Sequence, residues 1–184
     1  MLRKSAACDP GCVKMGQSLL QPALRPAKPG DRDLIHRWLR NPEVSRWWGN
    51  LASAEAEISL ALESGSALCR IIETGGLPIG YAQAADCGLT SSPPIAAVPA
   101  GTWNCHVFIG SEAHRGRGAG QAALDLLVGE VFASTLAVAC MIAVPVRNER
   151  AARAHEAAGF RWVAVAEDPI HGPSWVMLRE RPPR

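Results

Sequence analysis

Apolar positions along this chain follow two rhythms, one of period two and one of period near 3.6, and the alternation between them predicts an α/β fold. Gln21 to Ala27 reads as a first strand carrying Leu24, broken by Pro26 and Pro29. Asp31 is placed to cap a helix in which Leu34, Ile35, Trp38 and Leu39 share one face, and Asn41-Pro42 ends it. Glu43 to Asn50 is a short connecting segment containing Arg46-Trp47-Trp48-Gly49. Ser53 is the expected cap of a second helix, Ala54 to Glu63, with Ile58 and Leu62 at helical spacing. Ala67 to Glu73 and Leu77 to Ala84 form a hairpin around Thr74-Gly75-Gly76. Residues 86–102 are rich in Ser, Pro and Gly without a period; a loop of this kind inside a compact domain is usually functional or mobile.

Trp103 to Ile109 reads as the central strand, running into Gly110 and a glycine-rich turn. A helix is expected from Gly118 to Phe132, a buried strand from Val138 to Val144, and an amphipathic helix opened by Asn148 and stopped at Gly159. Arg161 to Ala166 and Ser174 to Arg179 are the last two strands. The expected organisation is a flexible segment over residues 1–20 and one domain over 21–184.

Composition changes this picture mainly by exclusion. The chain of 184 residues is 48% hydrophobic and 20% charged, enough to build a core. The net charge of +2, with no Lys/Arg-rich run, gives no support to a nucleic-acid partner. No stretch is long and apolar enough to span a bilayer, and Met1 to Gln17 lack a signal peptide's apolar core, so no membrane partner and a cytoplasmic location are expected. The six cysteines read as free thiols. Cys8 and Cys12 could bind a metal, but no second pair completes a site, so no metal is expected.

The chemistry concentrates in Arg115-Gly116-Arg117-Gly118-Ala119-Gly120, set between a strand and a helix. Glycines let backbone approach a phosphate, the helix start presents unpaired N–H groups, and the arginines add positive charge. The spacing R-x-x-G-x-G differs from the dinucleotide-binding and Walker patterns. It resembles the GNAT N-acetyltransferases, whose corresponding turn binds the pyrophosphate of coenzyme A. Asn148 to Phe160, an Asn followed by an alanine-rich helix and Gly-Phe, resembles the family's second signature. The blocks Trp38-Leu39, Val44 to Gly49, Pro78 to Gln83 and Phe108 to Gly110 look like the aminoglycoside 6′-N-acetyltransferases, which implies a role in antibiotic resistance. Trp103 to Gly110 is also similar to the strand of siderophore-type lysine N-acetyltransferases, which carry a His where His106 stands.

The resemblance implies a GNAT fold: a central mixed, twisted sheet of about seven strands flanked by about four helices. It implies acetyl-CoA as acyl donor and the primary amine of a small molecule as acceptor, in a monomer or homodimer. Siderophore-type acylation of lysine or hydroxylysine, and a non-catalytic acetyl-CoA-binding module, are the alternatives. Residues 115–120 would hold the pyrophosphate, the amides near Val107 and Phe108 the acetyl carbonyl, with Ile109 beside them as a further cofactor contact, and Asn148 the pantetheine arm. His106 stands where the aminoglycoside enzymes usually have an Asp and is the candidate base; His155 stands where the family usually has a Tyr and is the candidate acid. Pro145 replaces an Asp of the siderophore-type enzymes. Gln83, Asp86 and Trp103 are candidate acceptor contacts. Trp47 and Trp48 would line the acceptor groove or cover core.

Overall fold

A computed structural model describes residues 21–89, 95–168 and 171–183. Seven strands form one sheet: β1 (Ala23–Pro26), β2 (Ala67–Thr74), β3 (Leu77–Asp86), β4 (Thr102–Ile109), β5 (Ala139–Pro145), β6 (Arg161–Asp168) and β7 (Gly172–Glu180), in the order β1-β2-β3-β4-β5-β7-β6. All neighbours are antiparallel except β4 and β5. Five helices accompany them: α1 (Arg32–Leu39), α2 (Pro42–Ser45), α3 (Leu51–Ser64), α4 (Ala119–Ser134) and α5 (Glu149–Ala157).

Alternation along the strands builds a core on each face. On one face Ile35, Leu39, Ile58 and Ala61 of α1 and α3 cover Cys69, Ile71, Tyr81 and Phe108. On the other, Ala123, Leu124, Leu127 and Val131 of α4 and Ala152 of α5 pack on Ile72, Ala82, Cys105, Ile142 and Met177. A third cluster joins Met141, Val176 and Leu178 to Ile95 and Val98, so part of the loop after β3 folds over β5 and β7.

Several expectations need correction. Asn50, not Ser53, caps α3; its side chain accepts from the Ser53 N–H at 3.2 Å, so the helix starts earlier than Ala54. Asp31 does occupy the N-cap position of α1, but its side chain makes no capping bond there. Its carboxylate instead accepts from the Lys28 N–H and the Arg25 guanidinium, which holds the Asp31 carboxyl below the usual range. The fifth helix arises because Asn41 caps Pro42–Ser45, with proline favoured at a helix start. The loop expected from residue 86 is shorter, since β3 continues to Asp86 and β4 begins at Thr102. Gly159 does close α5, at φ 80°, with the Phe160 N–H on the His155 carbonyl at 3.0 Å. Cys8 and Cys12, and the flexibility expected of residues 1–20, lie outside the described residues; Cys69, Cys87, Cys105 and Cys140 form no disulfide among the described residues.

Gly110 fixes how α1 meets the end of β4. A Cβ there would collide with the Trp38 ring, which also sits edge-on to Phe108 at 6.3 Å. Gly110→Ala is expected to destabilise the fold by about 1–3 kcal/mol through overpacking. A melting curve checks this: a Tm several degrees lower is expected, and an unchanged Tm would show that Trp38 yields freely.

Candidate active site

β4 and β5 pair only over Thr102–Asn104 and Ala139–Met141, after which the two strands part. The Phe108 carbonyl faces β3, lying where a Cβ on Gly80 would sit. In a strand the N–H and C=O of one residue point to the same edge. Phe108 is therefore turned to β3, while Val107 and Ile109 present their backbone groups toward the opening. The Phe108 amide is thus turned away from the opening.

The glycine turn lies beyond that opening. Gly116 and Gly118 have φ of 75° and 83°, the left-handed region that glycine enters at least cost. Gly118 caps α4 with no side-chain hydrogen bond, and the first backbone bond is the Ala122 N–H to the Gly118 carbonyl at 3.1 Å. The amides of Ala119, Gly120 and Gln121 precede that bond and point out of the helix end. Arg115 donates to the Gly110 carbonyl at 3.2 Å, and its Nε is buried with no partner among the described residues. The Arg150 guanidinium of α5 packs where a Cβ on Gly116 would go. Arg117 is exposed. The Arg115 and Arg150 guanidinium groups thus lie beside a helix N-terminus, and this donor set fits a pyrophosphate. Asn148 is placed at the start of α5, where its side chain accepts from the Ala151 N–H at 3.2 Å. Its amide oxygen serves the helix cap; its NH2 is what it can offer to a pantetheine arm.

His106 lies on the face of β4 covered by α3, opposite Gln83 on β3. The Trp48 ring packs against it at 5.4 Å and against Phe108 at 5.1 Å. Burial lowers its pKa, while the Glu57 carboxylate pulls the other way, so the ring is neutral at neutral pH. Its Nε2 is 3.0 Å from the Asn104 side-chain nitrogen, and the Asn104 Oδ1 is buried with no partner among the described residues. With the Asn104 amide turned over, Oδ1 accepts from Nε2–H and Nδ1 is the basic nitrogen, while the amide NH2 takes the buried position that Oδ1 holds now.

His155 lies on α5 with its ring 6.3 Å from that of Phe160. Burial lowers its pKa to about 4, and its Nδ1 is buried with no partner among the described residues. The ring is neutral at pH 7, so it can donate an N–H but holds no readily released proton. A group neutral in the fold and protonated when unfolded below pH 6.5 costs stability as pH falls from 6.5 toward the folded value. His155→Gln is therefore expected to flatten the fall of stability between pH 6.5 and 4 by up to about 1.4 kcal/mol per pH unit. Denaturation midpoints across that range check it; parallel curves for both proteins would show that His155 titrates normally.

The remaining candidates divide. Trp48 borders His106, and Trp47 stacks with Arg46 at 5.1 Å and Arg147 at 5.8 Å. Gln83 is buried beside His106. Trp103 is on the opposite face of β4, packed on the α4 core and away from His106. Asp86 is paired with Trp103 and accepts the Gly88 N–H at 2.8 Å, a turn role.

Sequence reasoning missed Glu57, Asn104 and Arg150. Glu57 had a legible signal: Ala54, Ile58 and Ala61 are buried at positions i, i+4 and i+7, and an acid occupies i+3 of that stripe. Arg150 had none, since only the fold brings α5 against the turn.

Comparisons with known proteins bear on the family and the fold. A family model described as an acetyltransferase (GNAT) domain matches residues 28–167. No curated protein matches the chain. Among solved structures, AAC(6')-Ib with paromomycin and acetyl-CoA is 25% identical over 88% of this chain and 94% of its own, with a TM-score of 0.75. The aminoglycoside acetyltransferase AAC(6')-Ib with coenzyme A and kanamycin is 25% identical over 87% and 95%, with a TM-score of 0.74. A spermidine N-acetyltransferase chimera of the Vibrio cholerae and human enzymes, 14% identical over 87% and 95% at a TM-score of 0.67, shares the fold.

Proposed function

The chain belongs to the GNAT acetyltransferase family, and from that premise we propose that it transfers an acetyl group from acetyl-CoA to the primary amine of a small molecule. The observation that carries the reading is the convergence of the Gly116–Gly118 turn, the open start of α4 and the parted β4 and β5 beside His106. The aminoglycosides bound by the AAC(6')-Ib neighbours support a small-molecule amine as acceptor.

In this reading the turn from Arg115 to Gly120, with Arg150, holds the pyrophosphate, and the Asn148 NH2 holds the pantetheine arm. The Val107 and Ile109 N–H groups donate to the acetyl carbonyl oxygen and stabilise the oxyanion as charge develops there. His106 Nδ1, directly or through a water, takes the proton of the incoming ammonium. The freed amine nitrogen attacks the carbonyl carbon, a C–N bond forms, and the tetrahedral intermediate expels the thiolate as the C–S bond breaks. The second nitrogen proton goes to the thiolate, with the neutral His155 ring donating a hydrogen bond to the sulfur. The products are the acetamide, coenzyme A with its thiol, and one proton released through His106.

The direct test is to incubate the protein with acetyl-CoA and a panel of amines, including kanamycin, lysine, hydroxylysine, polyamines and aromatic monoamines, and to follow thiol release. Amine-dependent release is expected. Tight acetyl-CoA binding with no release across the panel would overturn the reading and leave a binding module.

A further inference from the structure

A chain of side-chain hydrogen bonds runs out of the core toward His106. Cys69 and Tyr81 are both buried on the same face of the sheet. The Tyr81 hydroxyl donates to the Gln83 Oε1 at 2.9 Å. That contact commits the amide oxygen and turns the Gln83 NH2 outward, where it donates to the Glu57 Oε1 at 3.2 Å. Tyr81 and Gln83 are 0% and 3% exposed, so the polar groups that aim this chain are desolvated. Buried polar groups are costly unless fully paired. Here the pairing ends on an exposed carboxylate of α3, held by Gln83, the β3 residue that pairs with His106.

Around His106 the neighbours are aromatic or neutral polar groups. Trp48 packs on His106 and Phe108, Asn104 lies 3.0 Å from its Nε2, and Met141, the β5 partner of Asn104, packs with Ile95 and Val98. Residues 87–102 contain no acid, and Asp86 is spent on its own turn. Next to Trp48 in the chain, Trp47 carries Arg46 and Arg147; Arg46 is paired with Glu43 at 2.7 Å.

We infer that Glu57 is the acceptor's ammonium-binding residue, and that this pocket selects an amine with one positive charge and an apolar body over a polycation. The inference rests on the acetyl-transfer reading and narrows its acceptor. One carboxylate offers one strong partner, so each further ammonium of a polyamine loses water without a matching charge, and meets Arg147 on Trp47. An apolar body gains by packing on Trp48. Glu57 does not itself take the proton: Gln83 fixes it as a counter-ion beside the base.

The experiment compares wild type and Glu57→Gln with acetyl-CoA and three probes: tryptamine, spermidine and kanamycin. Wild type is expected to favour tryptamine over the other two by tenfold or more in kcat/KM. Glu57→Gln is expected to raise the tryptamine KM about tenfold or more, with kcat within about threefold and the acetyl-CoA KM unchanged. Its acid limb of kcat/KM moves to lower pH, because Glu57 is the charged group that faces His106 and its loss disfavours the imidazolium. Preference for spermidine or kanamycin, or an unchanged tryptamine KM in the variant, overturns the inference while leaving acetyl transfer standing. Silence with all three probes counts against the amine acceptor itself. An NMR titration of the His106 ring then judges Glu57 alone: a lower midpoint in Glu57→Gln supports its placement, and an unmoved midpoint rejects it.

Discussion

His106→Ala is expected to lower turnover by about 10²–10⁴-fold, the span typical of losing a positioned proton acceptor. Acetyl-CoA affinity should stay within error of wild type, because the ring is on β4 beside Trp48 and Gln83, away from the turn at 115–120. The split between turnover and affinity separates a base from a packing residue. The pH profile adds a second check. Burial lowers the His106 pKa, so the basic form persists below 6.5 and kcat/KM should fall only in more acidic solution. In the alanine variant that limb should vanish. Equal turnover in His106→Ala would end the proton-transfer role and leave the amine to reach the site already neutral.

The second large effect is on the donor. Gly116→Val should weaken acetyl-CoA binding by about two orders of magnitude. A β-branched residue at φ 75° is strained by roughly 1–2 kcal/mol, and its Cβ displaces the Arg150 guanidinium from the turn. A charge-assisted hydrogen bond of about 1.5–3 kcal/mol is lost with that displacement. Calorimetric titration with acetyl-CoA and with coenzyme A reads the change. The fold should survive, because Gly116 is exposed and the collision is with the mobile end of one side chain. Unchanged affinity would mean that the pyrophosphate is held elsewhere.

The strands, the two long helices and the glycine turn were readable because each has a local cause. Period two gives β2, β3 and β4; the apolar face gives α1; glycines at positive φ mark the turn and the end of α5. The family resemblance added the roles of those parts. Caps were less legible, since Asn50 and Ser53 are both good caps and Asp31 had a stronger partner in Arg25. The acceptor side was least legible. Whether Trp103 or Phe108 faces His106 depends on strand register, and whether Asp86 or Glu57 supplies the acid depends on how α3 lies on the sheet. Neither is written in the spacing of one segment. The neutral state of His155 likewise follows from burial by distant residues, which a helix pattern does not report.

The short overlap of β4 and β5 has a thermodynamic consequence. Three residue pairs join a four-stranded half to a three-stranded half, so the seam is the weakest line of the sheet. The amides of Val107 and Ile109 beside it should exchange with deuterium faster than those of Phe108, which is bonded into β3. A ligand that enters the gap touches both halves, and its binding free energy becomes part of what holds them together. Local opening is then suppressed by mass action, by about 2.7 kcal/mol when the ligand stands at a hundred times its Kd. The seam makes the resistance of this protein to opening, and hence to proteolysis, follow the supply of its own acyl donor.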